Sequence, residues 1–285
     1  MNKNIIEDTE MANLKGSTFE KQIRDIHHRL RAFGEGRHGK NDHKTHSSAL
    51  SDKRAEYSRS FAQWAEQKGL SGKLNEHMTN ENIKEFLDER TANMAISSQE
   101  NYVRGFSSMI EGLKETNIII PADKRVFDEK VQEIKANDTR EIETGRAIEN
   151  VDKVIENIYQ ERFESGVIAE VQRELGLRVS EAHELVSNPE KYITENGTVE
   201  GLIGKGNHEY IAKDISMELQ AKIEQCDNIP AIRTYQEDLE KQNISSHDFR
   251  YTFVKEHMHE LSKEELSKEL NHNRAEMTDR YIARL

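Results

Sequence analysis

A chain of 285 residues exceeds one ordinary domain of roughly 100–200 residues, so the length predicts two, each able to bury its own core. With 34% apolar and 33% charged residues and only 3 Pro, the composition excludes a collagen-like chain and favours a mainly helical protein over a sandwich. The net charge of -12 argues against a nucleic-acid partner unless cations are gathered locally.

No membrane partner is expected: the longest apolar run, around Ile118 to Pro121, is far short of the roughly 20 residues a bilayer span needs. Met1 to Glu10 is acidic and broken by polar residues, unlike a secretory signal. The single cysteine, Cys226, excludes an internal disulfide and suits a reducing cytoplasm, the expected location.

From the amino terminus, Glu20 to Phe33 has helical spacing, with Ile23, Ile26, Leu30 and Phe33 on one stripe. Gly34 to Ser48, rich in Gly, His, Lys and Asn, reads as a mobile basic linker. Lys21 to Ser60 holds ten Lys or Arg against five acids, a net +5 that leaves -17 for the remainder. Any DNA contact elsewhere must therefore come from a few focused cations. Four helices are predicted next, at about Ser51–Lys68, Asn80–Ala92, Ser98–Glu115 and Ala122–Ala136, with Thr79 as a helix cap. The polar stretch Asn137 to Gly145 marks a domain boundary.

Beyond it, helices are expected at Val151–Tyr159, Ser165–Leu175 and from near Leu177. The period then changes. Lys191–Thr194, Val199–Ile203 and Glu209–Lys213 read as short strands separated by Asn196-Gly197 and Gly204-Lys205-Gly206-Asn207, both strong turn signals. A small antiparallel β-meander among helices results. Helical patterns return at Ser216–Cys226, Ala231–Gln242, His247–Glu260, Lys263–Leu270 and Ala275–Ala283.

Four segments of the second half carry chemistry: Gly176-Leu177-Arg178-Val179-Ser180-Glu181, Gly204-Lys205-Gly206-Asn207, His247-Asp248-Phe249-Arg250, and Leu270-Asn271-His272 with Tyr281 nine residues on. Each alone is weak. An isolated Arg178-x-x-Glu181 is ordinarily a solvated helix pair worth about 0.3–0.5 kcal/mol, and a lysine at a glycine-rich tip is ordinarily a soluble turn. Taken in order, the segments resemble the catalytic domain of the tyrosine recombinases, the family of phage integrases and Xer enzymes. Arg178 and Glu181 match its G-L-R-x-S-E element and Lys205 its hairpin turn. His247 and Arg250 match H-x-x-R, His272 matches L-G-H, and Tyr281 matches T-x-x-Y.

The resemblance implies residues 1–47 as a basic helix and linker, 48–140 as a helical, SAM-like core-binding domain and 148–285 as an α+β catalytic domain. It implies cleavage and rejoining of double-stranded DNA at paired recombination sites through a 3′-phosphotyrosine on Tyr281, without metal, ATP or other cofactor. A homotetramer on DNA and possible accessory directionality proteins also follow from it, whereas the four residues after Tyr281 bury little area, so a monomer is expected when free. The chemistry is consistent with those residue types. Phosphoryl transfer without a metal leaves extra negative charge on non-bridging oxygens, which two arginines can bind bidentately. Glu181, one turn from Arg178, can hold its guanidinium. His247 and Arg250 share one face at a helix start that Ser245 or Ser246 can cap, and helix N-termini favour phosphate. A tyrosine phenol ordinarily ionises near pH 10, so a nucleophilic one needs nearby positive charge or a base. The resemblance makes Lys205 the proton donor to the departing 5′-oxygen and His272 a hydrogen-bond donor to the phosphate.

Asn271 stands where L-G-H has glycine, and Tyr251 where a histidine often follows the H-x-x-R arginine. Only Ile282 to Leu285 follow Tyr281, so the helix Glu20–Phe33, with its free apolar stripe, is the expected bridge to an adjacent subunit, although Ile282 and Leu285 could also touch a neighbour. Two alternatives stay open: a type IB topoisomerase-like relaxing activity, and an inactive DNA-binding regulator on the same scaffold. A metal site at His27, His28, His38, His43 and His46 lacks ordered spacing, and Gly201 to Gly206 does not fit a phosphate-binding G-x-x-x-x-G-K-[ST] loop.

Overall fold

The computed structural model describes residues 11–35, 43–141, 143–205, 208–272 and 274–285. The segment Met1 to Glu10, residues 36–42 of the expected linker including His38, and Gly206 and Asn207 of the expected turn lie outside them. No described helix is long and apolar enough to cross a membrane. The chain divides into two compact units, Met1–Arg140 and Glu141–Leu285.

The first unit contains α1 (Phe19–Leu30), α2 (Ser48–Gln67), α3 (Asn80–Thr91), α4 (Ile96–Glu115) and α5 (Arg125–Ala136). Its centre is aromatic. Phe61 packs edge-on against Phe86 at 5.2 Å, Phe86 lies 5.3 Å from Phe106, and Trp64 and Phe127 close the cluster. Thr79 caps α3 as expected, its hydroxyl accepting from the Asn82 amide at 3.3 Å.

The helix at the amino terminus differs from expectation. Its apolar stripe is not free: Ile26 and Leu30 lie in the same core as α2 and α4. Buried Gln22 fastens it further, donating to the Gly72 carbonyl at 2.8 Å and accepting from the Leu74 amide at 2.7 Å. The helix stops at Leu30 rather than Phe33 because the Leu30 carbonyl accepts from the Thr45 amide at 2.7 Å, which pulls the chain out extended. Phe33 is left exposed. The neighbouring cations are also partly committed: Arg54 is buried and donates to Thr45 Oγ1 at 2.8 Å, and Arg29 pairs with Asp25 at 2.8 Å. Of the irregularly spaced histidines, His43 contacts Glu115 at 2.7 Å and His46 the Glu35 carbonyl at 3.2 Å.

The second unit runs α6 (Val151–Glu161), α7 (Phe163–Leu175), α8 (Val179–Ser187), α9 (Pro189–Tyr192), β1 (Thr198–Val199), β2 (Ile203–Gly204), β3 (His208–Glu209), β4 (Lys213–Asp214), α10 (Met217–Glu224), α11 (Ile232–Glu240), α12 (Ser246–His257), α13 (Lys263–Glu269) and α14 (Ala275–Ile282). Helix α7 is central, packed against α6, α8, α10 and α12 and buried along almost its whole length. Gly166 permits the closest of these approaches, since a Cβ there would sit 2.3 Å from the Tyr159 ring.

The β element is antiparallel, with β1 paired to β4 and β2 to β3. It is one hairpin interrupted midway, joined there by the Tyr210 amide donating to the Leu202 carbonyl at 2.9 Å. The first of the three expected strands shrinks to a single bridge, Ile193 to Val199, because Pro189 begins a helical turn through Tyr192. Ile282 and Leu285 pack onto the unit's own small cluster of Tyr251, Val254, Leu266 and Tyr281.

Since α1 completes a core rather than waiting for a partner, Ile26→Ala should destabilise the first unit by about 2–5 kcal/mol. Urea unfolding followed by fluorescence of Trp64, the chain's single tryptophan, measures this. A change below about 0.5 kcal/mol, typical of surface positions, would mean the helix is peripheral.

Candidate active site

The site forms where the loop after α7, the start of α12, the loop after α13 and helix α14 converge. Arg250 is completely buried and joins all four. Its Nη1 donates to the Gly176 carbonyl, its Nη2 to the Leu270 carbonyl at 2.8 Å and towards His272 Nε2 at 3.1 Å, and its Nε to the Tyr281 hydroxyl at 3.3 Å. Among the described residues no carboxylate pairs with it. A buried guanidinium is costly unless its donors are satisfied. Here neutral acceptors satisfy them without cancelling the charge, which keeps the site positive.

Local sequence explains why these segments meet. Gly176 ends α7 at φ +63°, a left-handed conformation that favours glycine, and the Phe253 ring lies 3.0 Å from where its Cβ would be. Ser245 and Asp248 form a capping box on α12, the Ser245 amide donating to Asp248 at 2.7 Å. Arg146 clamps the same carboxylate through Nε at 2.8 Å and lies over the Tyr251 ring at 5.2 Å. Gln172 of α7, fully buried, donates to the carbonyls of Leu177 and Ser246, both at 3.2 Å, and accepts from Tyr235 at 2.7 Å. It thereby bridges the backbone beside Arg178 to the backbone beside His247.

Tyr281 is buried, its ring flanked by His272 at 5.3 Å and Tyr251 at 4.6 Å. Its oxygen accepts from Arg250, and its hydroxyl lies 3.4 Å from His247 Nδ1. Burial, with Arg250, Arg178 and Arg146 nearby, lowers the His247 pKa, so the neutral ring can accept a phenolic proton. Arg178 is part-exposed, donates to the Tyr210 hydroxyl at 3.1 Å and stands 3.7 Å from buried Glu181. Burial raises the Tyr210 phenol above its ordinary value.

Lys205 is exposed, and its amide donates to Glu181 Oε1 at 3.3 Å. Glu181 thus touches both the arginine and the hairpin. At the hairpin base, burial pushes the Lys213 ammonium below its usual value against its ion pair with Glu269.

His272 has protein partners at both ring nitrogens. Arg250 faces Nε2, which assigns the proton to Nδ1, and Nδ1 donates to Thr278 Oγ1 at 3.0 Å. Both nitrogens face protein groups, so in this arrangement His272 buttresses Arg250 and stacks on Tyr281 instead of offering a free donor. The Thr of T-x-x-Y is the buried Thr278 that orients this ring. All seven predicted residues border the same region, with Lys205 at its exposed edge. Sequence reasoning missed Gln172, Tyr210 and Arg146, whose partners Ser246, Arg178 and Asp248 lie far away in the chain, where no motif or period links them.

The chain has the fold of the tyrosine recombinases. It superposes on the XerH site-specific recombinase bound to palindromic difH substrate in a post-cleavage complex with a TM-score of 0.62 at 13% identity, over 95% of this chain and 94% of that one. The Tn1549 transposon integrase in complex with a circular intermediate DNA gives 0.55 at 15% identity, covering 92% of both chains. A lambda integrase dimer bound to a COC′ core site gives 0.55 at 14% identity, over 81% of this chain and 71% of that one. No family profile and no curated protein matches the sequence.

Burial, reinforced by Arg250, Arg178 and His247, pushes the His272 pKa down to about 3 from 6.5. The folded ring therefore resists a proton that the unfolded ring accepts near pH 6.5, so its contribution to stability is present above that pH and is lost as pH falls towards 3. Imidazole nitrogen NMR should find His272 neutral and Nδ1-protonated at pH 5. A titration midpoint near 6.5 would refute this environment.

Proposed function

We propose that this chain is a site-specific DNA recombinase that cleaves and rejoins DNA through a 3′-phosphotyrosine on Tyr281. The observation that carries the reading is the contact of the Tyr281 hydroxyl with both a buried, carboxylate-free Arg250 and a neutral His247. A phenol between a cation and a base is suited to nucleophilic attack, and an uncompensated positive site is suited to a phosphodiester.

In this reading Arg178 meets the non-bridging oxygens directly, and Arg250 supplies positive charge beneath them and would bond them only by exchanging some of its present partners. The Tyr281 oxygen forms a bond to phosphorus as its proton passes to His247, the bond from phosphorus to the 5′-oxygen breaks, and Lys205 protonates that oxygen. Reversal with another 5′-hydroxyl rejoins the strand and regenerates the phenol. Glu181 holds Arg178 and the Lys205 backbone in place. His272 supports Arg250, and would reach the phosphate only if it exchanged its present partners. Recombination further requires double-stranded DNA bearing paired sites and a tetramer assembled on it, with the helical first unit as the second DNA-binding element. The DNA complexes of the similar recombinases support this class of substrate.

The test uses a nicked duplex carrying a site selected from a random library by binding to the full chain. The wild type should form a denaturation-resistant protein–DNA adduct, and Tyr281→Phe should bind equally but form none. An adduct surviving in Tyr281→Phe, or no wild-type adduct on any selected site, would overturn the assignment.

Lys205→Ala should slow adduct formation by roughly the 10²–10⁴-fold of a lost general acid, but far less on a duplex with a 5′-bridging sulfur, because a thiolate leaves without a proton. Equal slowing on both duplexes would reject Lys205 as the acid.

A further inference from the structure

Asn271 sits one residue before His272, at the end of α13, with φ +51°. Asparagine tolerates this left-handed conformation, and glycine does so without strain. The backbone requirement therefore leaves the side chain unexplained. Its Nδ2 donates to the His208 carbonyl at 2.9 Å, 63 residues away in sequence. His208 is the register partner of Gly204 across the β2–β3 ladder, and Gly204 directly precedes Lys205. Packing between Asn271 and Gly204 is tight: a Cβ on Gly204 would stand 2.9 Å from that same nitrogen and 2.8 Å from the Tyr210 ring. The Lys205 amide that follows Gly204 is held by Glu181.

From this geometry we infer that Asn271 is a positioning residue, whose side-chain amide docks the Lys205 hairpin against the His272 loop and so sets where the lysine stands. The inference rests on the proposed acid role of Lys205 for its chemical consequence, but not for the docking itself. Of the contacts that hold the hairpin, Glu181 also serves Arg178, Tyr210 is bound by Arg178, and the Lys213–Glu269 pair lies at the base. Among the described residues, Asn271 is the contact near Lys205 that can be removed without touching either arginine.

Asn271→Gly tests this cleanly, because it preserves the left-handed backbone and deletes only the amide. In the full chain without DNA, hydrogen exchange at the Lys205 and Tyr210 amides should accelerate about two- to tenfold, the effect of losing one ordinary hydrogen bond, while amides in α7 and α12 keep their rates. On the selected nicked duplex, adduct formation with the 5′-oxygen should slow by a similar factor and that with a 5′-bridging sulfur should not. Asn271→Asp, which cannot donate to the carbonyl when ionised, should behave like glycine. Unchanged exchange in Asn271→Gly overturns the docking, and equal slowing of oxygen and sulfur duplexes overturns the positioning of Lys205. Absence of any wild-type adduct would instead overturn the recombinase reading, with the exchange rates still deciding the docking.

Discussion

The second unit is organised around one buried positive charge. Placing the Arg250 guanidinium in the interior demands hydrogen-bond acceptors from several directions at once, and the chain answers with two loop carbonyls, a histidine nitrogen and a tyrosine oxygen. The four acceptors come from three segments, the end of α7, the loop after α13 and helix α14. Satisfying one side chain therefore brings the ends of α7 and α13, the start of α12 and helix α14 to a common point. None of these acceptors is charged, so the geometry that makes burial tolerable also preserves the field that an anion would meet.

Around this centre the neutral histidines follow as consequences. Two imidazoles beside Arg250 and Arg178, and partly withdrawn from water, hold protons poorly. It leaves the His247 ring unprotonated beside the Tyr281 hydroxyl, and it lets His272 accept a hydrogen bond from Arg250 through Nε2. The hairpin is the opposite case, exposed at its tip and fastened by separate contacts from Glu181, Asn271 and Arg178 through Tyr210. The buried positive centre and the exposed lysine are thus held by separate sets of contacts.

The first unit obeys a simpler constraint. Its aromatic core needs cover, and α1 supplies it with Ile26 and Leu30. Burial against the unit's own helices leaves that stripe unavailable for the intersubunit role that its amphipathic pattern suggested. Part of the basic stretch is consumed in the same way, since Arg54 holds Thr45 within the unit.

Much of this was legible in the sequence. Helical periods located nearly every helix to within a few residues, turn residues located the hairpin, and the ordered motifs named seven residues that the fold brings to one region. These features are local, carried by residues close together in the chain. Partner choice is not local, and only the tertiary structure decided it. An amphipathic stripe looks the same whether its cover comes from its own core or another subunit. His272 reads as a phosphate donor until Arg250 and Thr278 are seen to occupy both nitrogens. Gln172 joins two motif loops at Leu177 and Ser246, far apart in the chain, a span over which no sequence period reports. Asn271 reads as a departure from a glycine motif until the His208 carbonyl arrives beside it, because a hydrogen bond between distant segments exists only once packing has fixed both ends.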